Sequence, residues 1–308
     1  MQVCFAQQKH TISGTIKDQK TGETLIGASI SLLENPEMGV LSNGYGFYSI
    51  TAPEKNFTLI ASFSGYENDT IKVSLTKNIF LPIDLKPAIS ELQEVIVTAK
   101  RNDNITRTLP GMQNVSIEEI KNVPVIFGEK DILKTIQLLP GIKSGGDGSS
   151  GFYVRGGSED QNLILLDEAT VYNASHLLGF FSTFNSDAIK DVTIYKGDMP
   201  AQYGGRLSSL LDVRMNDGND KNYKVSGGIG LISSRLNVEG PIVKNKGSFM
   251  ISARRTYADL FLKLSRDSNV NKSILYFYDV NAKANYQFGE NNKLYLSTYF
   301  GQDDLGYI

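Results

Sequence analysis

Three glycines in the stretch 145–157, GGDGSSGFYVRGG, have the spacing of a dinucleotide-binding fingerprint: Gly146, Gly148 and Gly151. Such a fingerprint binds pyrophosphate because a strand leads through the glycines into a helix, whose free backbone N–H groups hold the anion. Here the order is reversed. The preceding residues have a helical pattern, and the following segment FYVRGG favours a strand. We therefore expect no nucleotide site, and the glycines need another role.

Other side chains offer little chemistry. One Cys and two His, His10 and His176, cannot form a zinc site or a Cys/His nucleophile pair. The acidic pairs Glu118-Glu119 and Asp303-Asp304 have no evident partner, and we expect them to be solvated carboxylates. The net charge of -2 does not indicate the excess of basic residues that nucleic-acid-binding domains use to bind phosphate groups. The sequence thus predicts a protein that is not an enzyme, has no cofactor or metal and does not bind nucleic acid.

The first structural region that the sequence predicts is rich in β-strands. Residues 10–87 alternate apolar and polar side chains in six or seven short runs separated by turns, which predicts an immunoglobulin-like or transthyretin-like β-sandwich. Its last run places Ile79, Leu81, Ile83 and Leu85 on one face. Before it, Cys4 lies in MQVCFAQQ, which we interpret as the end of a secretory signal; a ragged terminus is the alternative.

The middle of the chain changes pattern twice. Residues 88–116 form a polar linker with one β-prone island, LQEVIVTAK at 92–100, whose alternative interpretation is a last strand of the sandwich. Residues 117–216 mix helix and strand patterns, which predicts an α+β domain with long glycine-rich connections. A helix at 129–139 places Ile132, Leu133, Ile136 and Leu139 on one face.

Residues 222–308 have long alternating runs. In YFYDVNAKANYQF, one face carries Asp279, Asn281, Lys283, Asn285 and Gln287, and the other carries small and aromatic residues. In the next run Leu294, Leu296, Thr298 and Phe300 share a face. This pattern is typical of transmembrane β-barrel strands, although an amphipathic strand of a soluble sheet has the same period. At about twenty residues per strand, the region supplies roughly four strands, whereas plugged transporters have about 22. We expect a fragment of a longer protein, mainly β.

The order of these regions resembles a TonB-dependent outer-membrane receptor of the Bacteroidota kind with an N-terminal carboxypeptidase-regulatory-like domain. The motifs that carry the resemblance are ISGTIKDQKTGETLIGASI, SNGYGFYSI, LQEVIVTAK, ILKTIQLLPGI, FYVRGG, LILLDEATVYN, HLLGFFSTFNSDAIKDV and IKDVTIYKGDMPAQYGGRLSSLLDVRM. It implies a sandwich at 10–87, a linker at 88–116, a plug domain at 117–216 and the first barrel strands at 222–308.

The resemblance also implies roles. The TonB box would be Leu92, Gln93, Glu94, Val95, Ile96, Val97, Thr98 and Ala99. The glycine-rich stretch would be an apical plug loop, and apical loops would contact substrate through Asp147, Tyr172, Asn173 and His176. Arg155 and Arg206 would lock the plug to the barrel through carboxylates on the barrel wall. The implied partners are TonB, outer-membrane lipid and a scarce nutrient, with a surface lipoprotein as a further candidate partner.

The implied function is TonB-coupled uptake of a nutrient such as a siderophore, cobalamin, an oligosaccharide or a peptide. The protein would lie in the outer membrane, with the sandwich and TonB box in the periplasm. The alternative is an adhesion or glycan-binding protein that uses the sandwich. It would require clustered exposed aromatic residues, for which only Tyr45, Phe47, Tyr48 and Tyr66 are candidates.

Overall fold

The computed structural model describes residues 9–53, 55–88, 111–115, 120, 130–146, 149–257, 259–289 and 292–306. The chain divides into two compact units, Met1–Val97 with Asn219–Asn222, and Thr98–Gly218 with Tyr223–Ile308. Within the described ranges, no helix is both long enough and apolar enough to cross a membrane. The predicted signal segment with Cys4 and the predicted TonB box at 92–99 lie outside the described residues.

The first unit contains a two-sheet sandwich. Its strands are β1 (Lys9–Asp18), β2 (Ser29–Leu32), β3 (Asn35–Leu41), β4 (Phe47–Pro53), β5 (Lys55–Ser62), β6 (Asp69–Leu75), β7 (Ile79–Phe80) and β8 (Ile83–Leu85). One sheet has the order β4-β1-β7, with β8 also paired to β1, and the other has the order β3-β2-β5-β6. Eight strands replace the expected six or seven because the last run is divided between β7 and β8.

The alternation seen in the sequence places the apolar side chains between the two sheets. Ile83 and Leu85 are buried, and Ile79 and Leu81 pack against the same core, as predicted. Gly46 permits the turn before β4: its φ is +71°, in the left-handed region that favours glycine. The mainly β fold with an N-terminal sandwich is thus confirmed.

The second unit begins with a mixed α+β region. Its elements are β9 (Met112–Val115), α1 (Ile132–Ile136), β10 (Ile142–Ser144), β11 (Phe152–Val154), β12 (Asn162–Leu166), β13 (Ala169–Thr170), β14 (Ser175–His176), β15 (Phe181–Ser182), β16 (Ile189–Tyr195) and β17 (Ser209–Met215). Five of them form one sheet in the order β13-β12-β17-β16-β9, which we call the plug sheet. The helix is shorter than the predicted 129–139, but Ile132, Leu133 and Ile136 are buried as expected.

The unit continues with five antiparallel strands that we call the wall sheet. They are β18 (Lys224–Ile229), β19 (Ser233–Val243), β20 (Gly247–Thr256), β21 (Ile274–Phe288) and β22 (Asn292–Gly306), paired in chain order. Two short helices, α2 (Asp259–Leu262) and α3 (Ser268–Asn271), lie between β20 and β21. Five strands are present where about four are expected, because β18 to β20 are short and joined by tight turns.

The wall sheet has two different faces. On β21, Asp279, Asn281, Lys283 and Asn285 are buried, as the alternation predicts. On β22, Leu294, Leu296 and Phe300 are exposed on the opposite side. An apolar outer face with a polar inner face is the pattern of a transmembrane β-barrel wall. The polar face packs against the plug sheet, whose core also includes Met250 of β20.

Candidate functional site

The first group of polar contacts between plug and wall, the Lys283 cluster, comprises Lys283, Asp167, Asp217, Lys190 and Ser297. The Lys283 ammonium lies 3.1 Å from Asp167 Oδ2 and 3.0 Å from Asp217 Oδ1. Lys190 Nζ lies 3.1 Å from the other oxygen of Asp217. Burial raises the pKa of Asp217, but Lys190 and Lys283 outweigh burial and hold that pKa well below its usual range. Asp217 is therefore ionised, and both its oxygens bind cations.

A tight turn positions Asp167. Leu166 pairs with Ala169 in the β12–β13 hairpin, so Asp167 and Glu168 form a two-residue turn with φ values of +45° and +72°. Such turns favour Asn or Gly, and a Glu there is strained. Asp167 Oδ1 accepts from Met215 N at 2.9 Å, and Asp167 Oδ2 accepts from the Ser297 hydroxyl at 2.6 Å. The bond from Ser297 and the ion pair with Lys283 hold the strained turn against the wall, and the bond from Met215 ties it to the plug sheet.

The second group, the His176 cluster, comprises His176, Arg254, Asp279, Asp303 and Tyr299. His176 Nδ1 lies 2.9 Å from Asp303 Oδ1, and its Nε2 lies 3.1 Å from Tyr299 Oη. Arg254 donates to Asp279 Oδ2 at 2.6 Å and to the Ser182 carbonyl at 2.8 Å. These contacts tie the β14–β15 hairpin of the plug to three wall strands.

Aromatic stacking adds to the His176 cluster. The His176 ring stacks on Phe277 of β21 with centroids 4.2 Å apart, and the Arg254 guanidinium lies 5.0 Å from the centre of the same ring. His176 is only 3% exposed. Its predicted role in substrate contact stays a prediction, while the observed contacts are those of an anchor.

The adjacent carboxylates on β22 differ from the expectation. Asp303 binds His176, and Asp304 accepts from the Tyr276 hydroxyl at 2.7 Å. The expectation that this pair has no partner is therefore wrong. Neighbouring residues of a strand point to opposite faces, so the two carboxylates meet different partners. The other pair, Glu118-Glu119, lies outside the described residues.

The two arginines predicted as locks lie elsewhere. The Arg155 guanidinium lies beside Gly197 and Gly111, which directly flank β16 and β9 of the plug sheet. Arg206 lines a cleft in the plug. Within the described part of the chain both arginines thus lie beside plug residues, and their lock role stays a prediction. Two observed ion pairs have the opposite arrangement, with a cation on the wall and a carboxylate on the plug: Lys283 with Asp167, and Arg235 Nε with Asp187 Oδ2 at 2.7 Å.

The plug cleft has a volume of about 520 Å³ and brings together residues predicted separately. Tyr172, Asn173 and Arg206 all line it, together with Tyr153 and Ser158. Tyr172 is 87% exposed. Three candidate residues therefore meet at one surface, while Asp147 lies outside the described residues.

The glycine-rich stretch forms a closed loop. Gly145 N donates to Gly151 O at 2.8 Å, and Gly146 N and Gly151 N donate to the hydroxyls of Ser144 and Ser149. The chain continues into β11 instead of a helix. These N–H groups are used within the loop, which agrees with the absence of a phosphate role in the sequence interpretation. Gly146 has a φ of +132°, which requires glycine.

The aromatic residues of the sandwich do not form one exposed cluster. Tyr45 and Phe47 are partly exposed, whereas Tyr48 is only 2% exposed. The Tyr66 hydroxyl donates to Asp18 at 2.9 Å. Among the described residues, no group of three or more His, Cys, Asp or Glu side chains could hold a metal ion.

Comparisons with known proteins agree with this architecture. Residues 12–97 match the CarboxypepD_reg-like domain, and residues 105–209 match the TonB-dependent Receptor Plug Domain. Bacillopeptidase F of Bacillus subtilis (strain 168) is 29% identical over 89 residues, which are 29% of this chain and 6% of that protein.

Among solved structures, the siderophore receptor PirA from Acinetobacter baumannii has a TM-score of 0.47 at 17% identity, over 64% of this chain and 32% of that one. The outer membrane transporter YddB from Escherichia coli has a TM-score of 0.46 at 14% identity, over 63% of this chain and 33% of that one. The chain thus spans about a third of the length of these structures. The narrower assignment to the Bacteroidota kind stays a prediction. The plug match indicates an outer-membrane location, and the chain carries a CarboxypepD_reg-like domain followed by the plug domain of a TonB-dependent receptor.

Proposed function

We propose that this protein is a TonB-dependent outer-membrane receptor that takes up a scarce nutrient. The observation that carries the proposal is the contact between plug and wall, which is built from ion pairs and hydrogen bonds around Lys283 and His176. Water can replace such contacts as they separate, whereas a sealed apolar interface would have to expose its core. A plug that must open and close requires contacts of this kind.

The proposed organisation follows the sequence. Residues 10–87 form a periplasmic sandwich and the following segment, up to β9, is a linker. The plug runs from β9 to 216 and the first wall strands lie within 222–308. TonB pairs with the β-prone sequence at 92–99 as an added strand, with main-chain hydrogen bonds that resist pulling. The energy-coupled pull then opens the plug.

Substrate binding is proposed at the plug cleft. Tyr172 supplies an exposed aromatic ring, Asn173 an amide and Arg206 a cation at the same surface. Asp147 belongs to the adjoining apical loop in the sequence. His176 stabilises the position of Asn173 in the plug cleft, because it binds Asp303 and so holds the segment after Asn173 against the wall sheet. A surface lipoprotein remains a proposed additional partner.

The test targets the proposed TonB segment in the full-length receptor. Proline at Val95 or Ile96 removes a backbone donor and prevents strand pairing. We expect each variant to reach the outer membrane at normal levels, bind substrate normally and fail to support receptor-dependent growth. The matched control is Asn102→Pro in the adjacent polar run, which should transport normally. Normal growth with Val95→Pro and Ile96→Pro would contradict the proposed coupling.

A further inference from the structure

Residues 219–222, which lie in the chain between β17 of the plug sheet and β18 of the wall sheet, belong to the sandwich unit. They group with Met1–Val97 and not with the regions that they connect. The chain therefore passes through the sandwich unit twice, first in the strands β1 to β8 and again between plug and wall. Connections between strands ordinarily run over the surface, but Asn219 and Asp220 are only 8% and 9% exposed.

The partner of this segment in the sandwich is the turn that follows β1. The Asp220 N–H donates to the Thr21 carbonyl at 2.9 Å, and the Lys221 ammonium donates to the Gln19 carbonyl. Gly22 lies directly against the Asp220 side chain, because a Cβ at Gly22 would overlap that carboxylate. Gly22 also has a φ of +74°. Glycine is thus required at this position both by the turn and by Asp220.

Both sides of this contact are ordered by their own hydrogen bonds. In the turn after β1, Asp18 Oδ1 accepts from the Thr21 N–H at 3.2 Å. In the other segment, Asn219 Oδ1 accepts from the N–H groups of Lys221 and Asn222, each at 2.9 Å. Aspartate and asparagine side chains stabilise turns in this way. The contact therefore joins two turns whose shapes are already fixed.

A single residue connects the 219–222 segment to the Lys283 cluster. Gly218 separates Asn219 from Asp217, and the Asp217 carboxylate lies 3.0 Å from Lys283 Nζ. Gly218 has little room to act as a hinge, because a Cβ there would overlap the Phe249 carbonyl of β20. Two residues of chain span at most about 7 Å. A fixed Asn219 therefore limits how far Asp217 can move away from Lys283.

We propose that the sandwich restrains the plug in its closed position. By holding 219–222, the sandwich keeps Asp217 where it binds Lys283 and Lys190, and this raises the free energy required to separate the plug from the wall. The proposal rests on the proposed function, because it takes the opening of the plug as the step that is restrained. It assigns a regulatory role to the sandwich: whatever separates the sandwich from 219–222 makes the plug open more readily.

Two variants weaken the contact from opposite sides. Gly22→Ala places a Cβ in the space of the Asp220 carboxylate. Its matched control is Gly27→Ala, because Gly27 has nearly the same φ, +75°, and a Cβ there would meet no atom beyond its chain neighbours within 4 Å. Both changes impose the same backbone strain, but only the first disturbs Asp220. The second variant, Asn219→Ala, removes the acceptor that orders 219–222 and leaves residues 9–88 unchanged.

The measurement is hydrogen exchange, followed by mass spectrometry, on the full-length receptor in lipid nanodiscs. The reporting peptide covers residues 209–218, which contain β17 and Asp217. We expect its exchange to be about tenfold faster in Gly22→Ala and in Asn219→Ala than in wild type and Gly27→Ala, the factor for releasing roughly one backbone residue. In the Lys283→Met background, Gly22→Ala should add less than about twofold, because the ion pair through which the restraint acts is already absent.

Two outcomes would overturn the proposal. One is exchange of the 209–218 peptide at the Gly27→Ala rate in both variants. The other is a full tenfold effect of Gly22→Ala in the Lys283→Met background, since the sandwich would then act on the plug by a route other than Asp217. Neither measurement requires TonB or substrate. Normal growth with Val95→Pro would therefore contradict the proposed coupling while leaving the exchange result readable.

Discussion

Replacing Lys283 with methionine tests whether buried ion pairs hold the plug to the wall. The Lys283, Asp167 and Asp217 side chains are 8%, 7% and 6% exposed. The substitution removes the cation that lies 3.1 Å from Asp167 Oδ2, while Asp217 keeps Lys190. Removing one partner of a buried ion pair costs about 3–5 kcal/mol, because the remaining charge is neither solvated nor paired. At about 1.4 kcal/mol per factor of ten, the population of the open plug should rise roughly 10²- to 4 × 10³-fold.

The assay reports plug opening through a buried thiol in the full-length receptor. Val192 of β16 is 0% exposed in the plug core, and Val192→Cys is a small change in volume. With Cys4 replaced by serine, maleimide labelling of this thiol follows the population of the open plug. The control is Lys244→Met, which removes an exposed lysine from the turn between β19 and β20.

A rescue variant identifies the physical cause. Asp167→Asn in the Lys283→Met background removes the uncompensated charge but keeps an oxygen that can accept from Met215 N. We expect labelling to slow again by at least about tenfold. If Lys283→Met labels within about threefold of Lys244→Met, or if the rescue has no effect, the ion pairs do not hold the plug and the reasoning is refuted.

Two further predictions concern single positions. Residues 9–88 expressed alone should unfold cooperatively, and Gly46→Ala should lower their melting temperature by about 10 °C, because a Cβ at Gly46 would lie 2.8 Å from Thr24 Cβ at a φ of +71°. The control Gly39→Ala should change the melting temperature little, since no atom lies closer than 3.6 Å to a Cβ at that position. A non-cooperative transition, or equal shifts for the two variants, would contradict this prediction. Burial raises the pKa of Asp191 in the plug sheet despite its hydrogen bond from Asn114. A carboxyl whose pKa is higher in the folded than in the unfolded state contributes folding stability that is fully present below about pH 4. That contribution is lost as the pH rises through the folded pKa. Hydrogen exchange of β16 should therefore accelerate, after correction for the intrinsic rate, as the pH rises from about 4, and Asp191→Asn should reduce that dependence; an unchanged dependence would count against it.

The amino-acid sequence alone determined the features that depend on neighbouring residues. The period of two on β21 separated Asp279 and Lys283 from the outward face, and the same period placed Ile83 and Leu85 in the sandwich core. The helical pattern likewise identified the buried face of α1. These features follow from local geometry, because alternation along a strand or a helix assigns each side chain to a face. The order of the regions was sufficient to indicate a plug domain, which the family match confirmed.

Only the tertiary structure decided which partners those faces meet. His176 binds Asp303, 127 residues later, and Lys283 binds Asp167 and Asp217, which lie in two different connections between strands. The left-handed backbone of Leu177 and Leu178 likewise has no local signal, since leucine does not favour it. Strand register fixes the ion pairs, and hydrogen bonds between residues 177–180 and Ser150, Lys134 and Asp303 fix the backbone of the two leucines. Such contacts join elements distant in the chain, so a sequence pattern can predict the face of a residue but not the atom that it will contact.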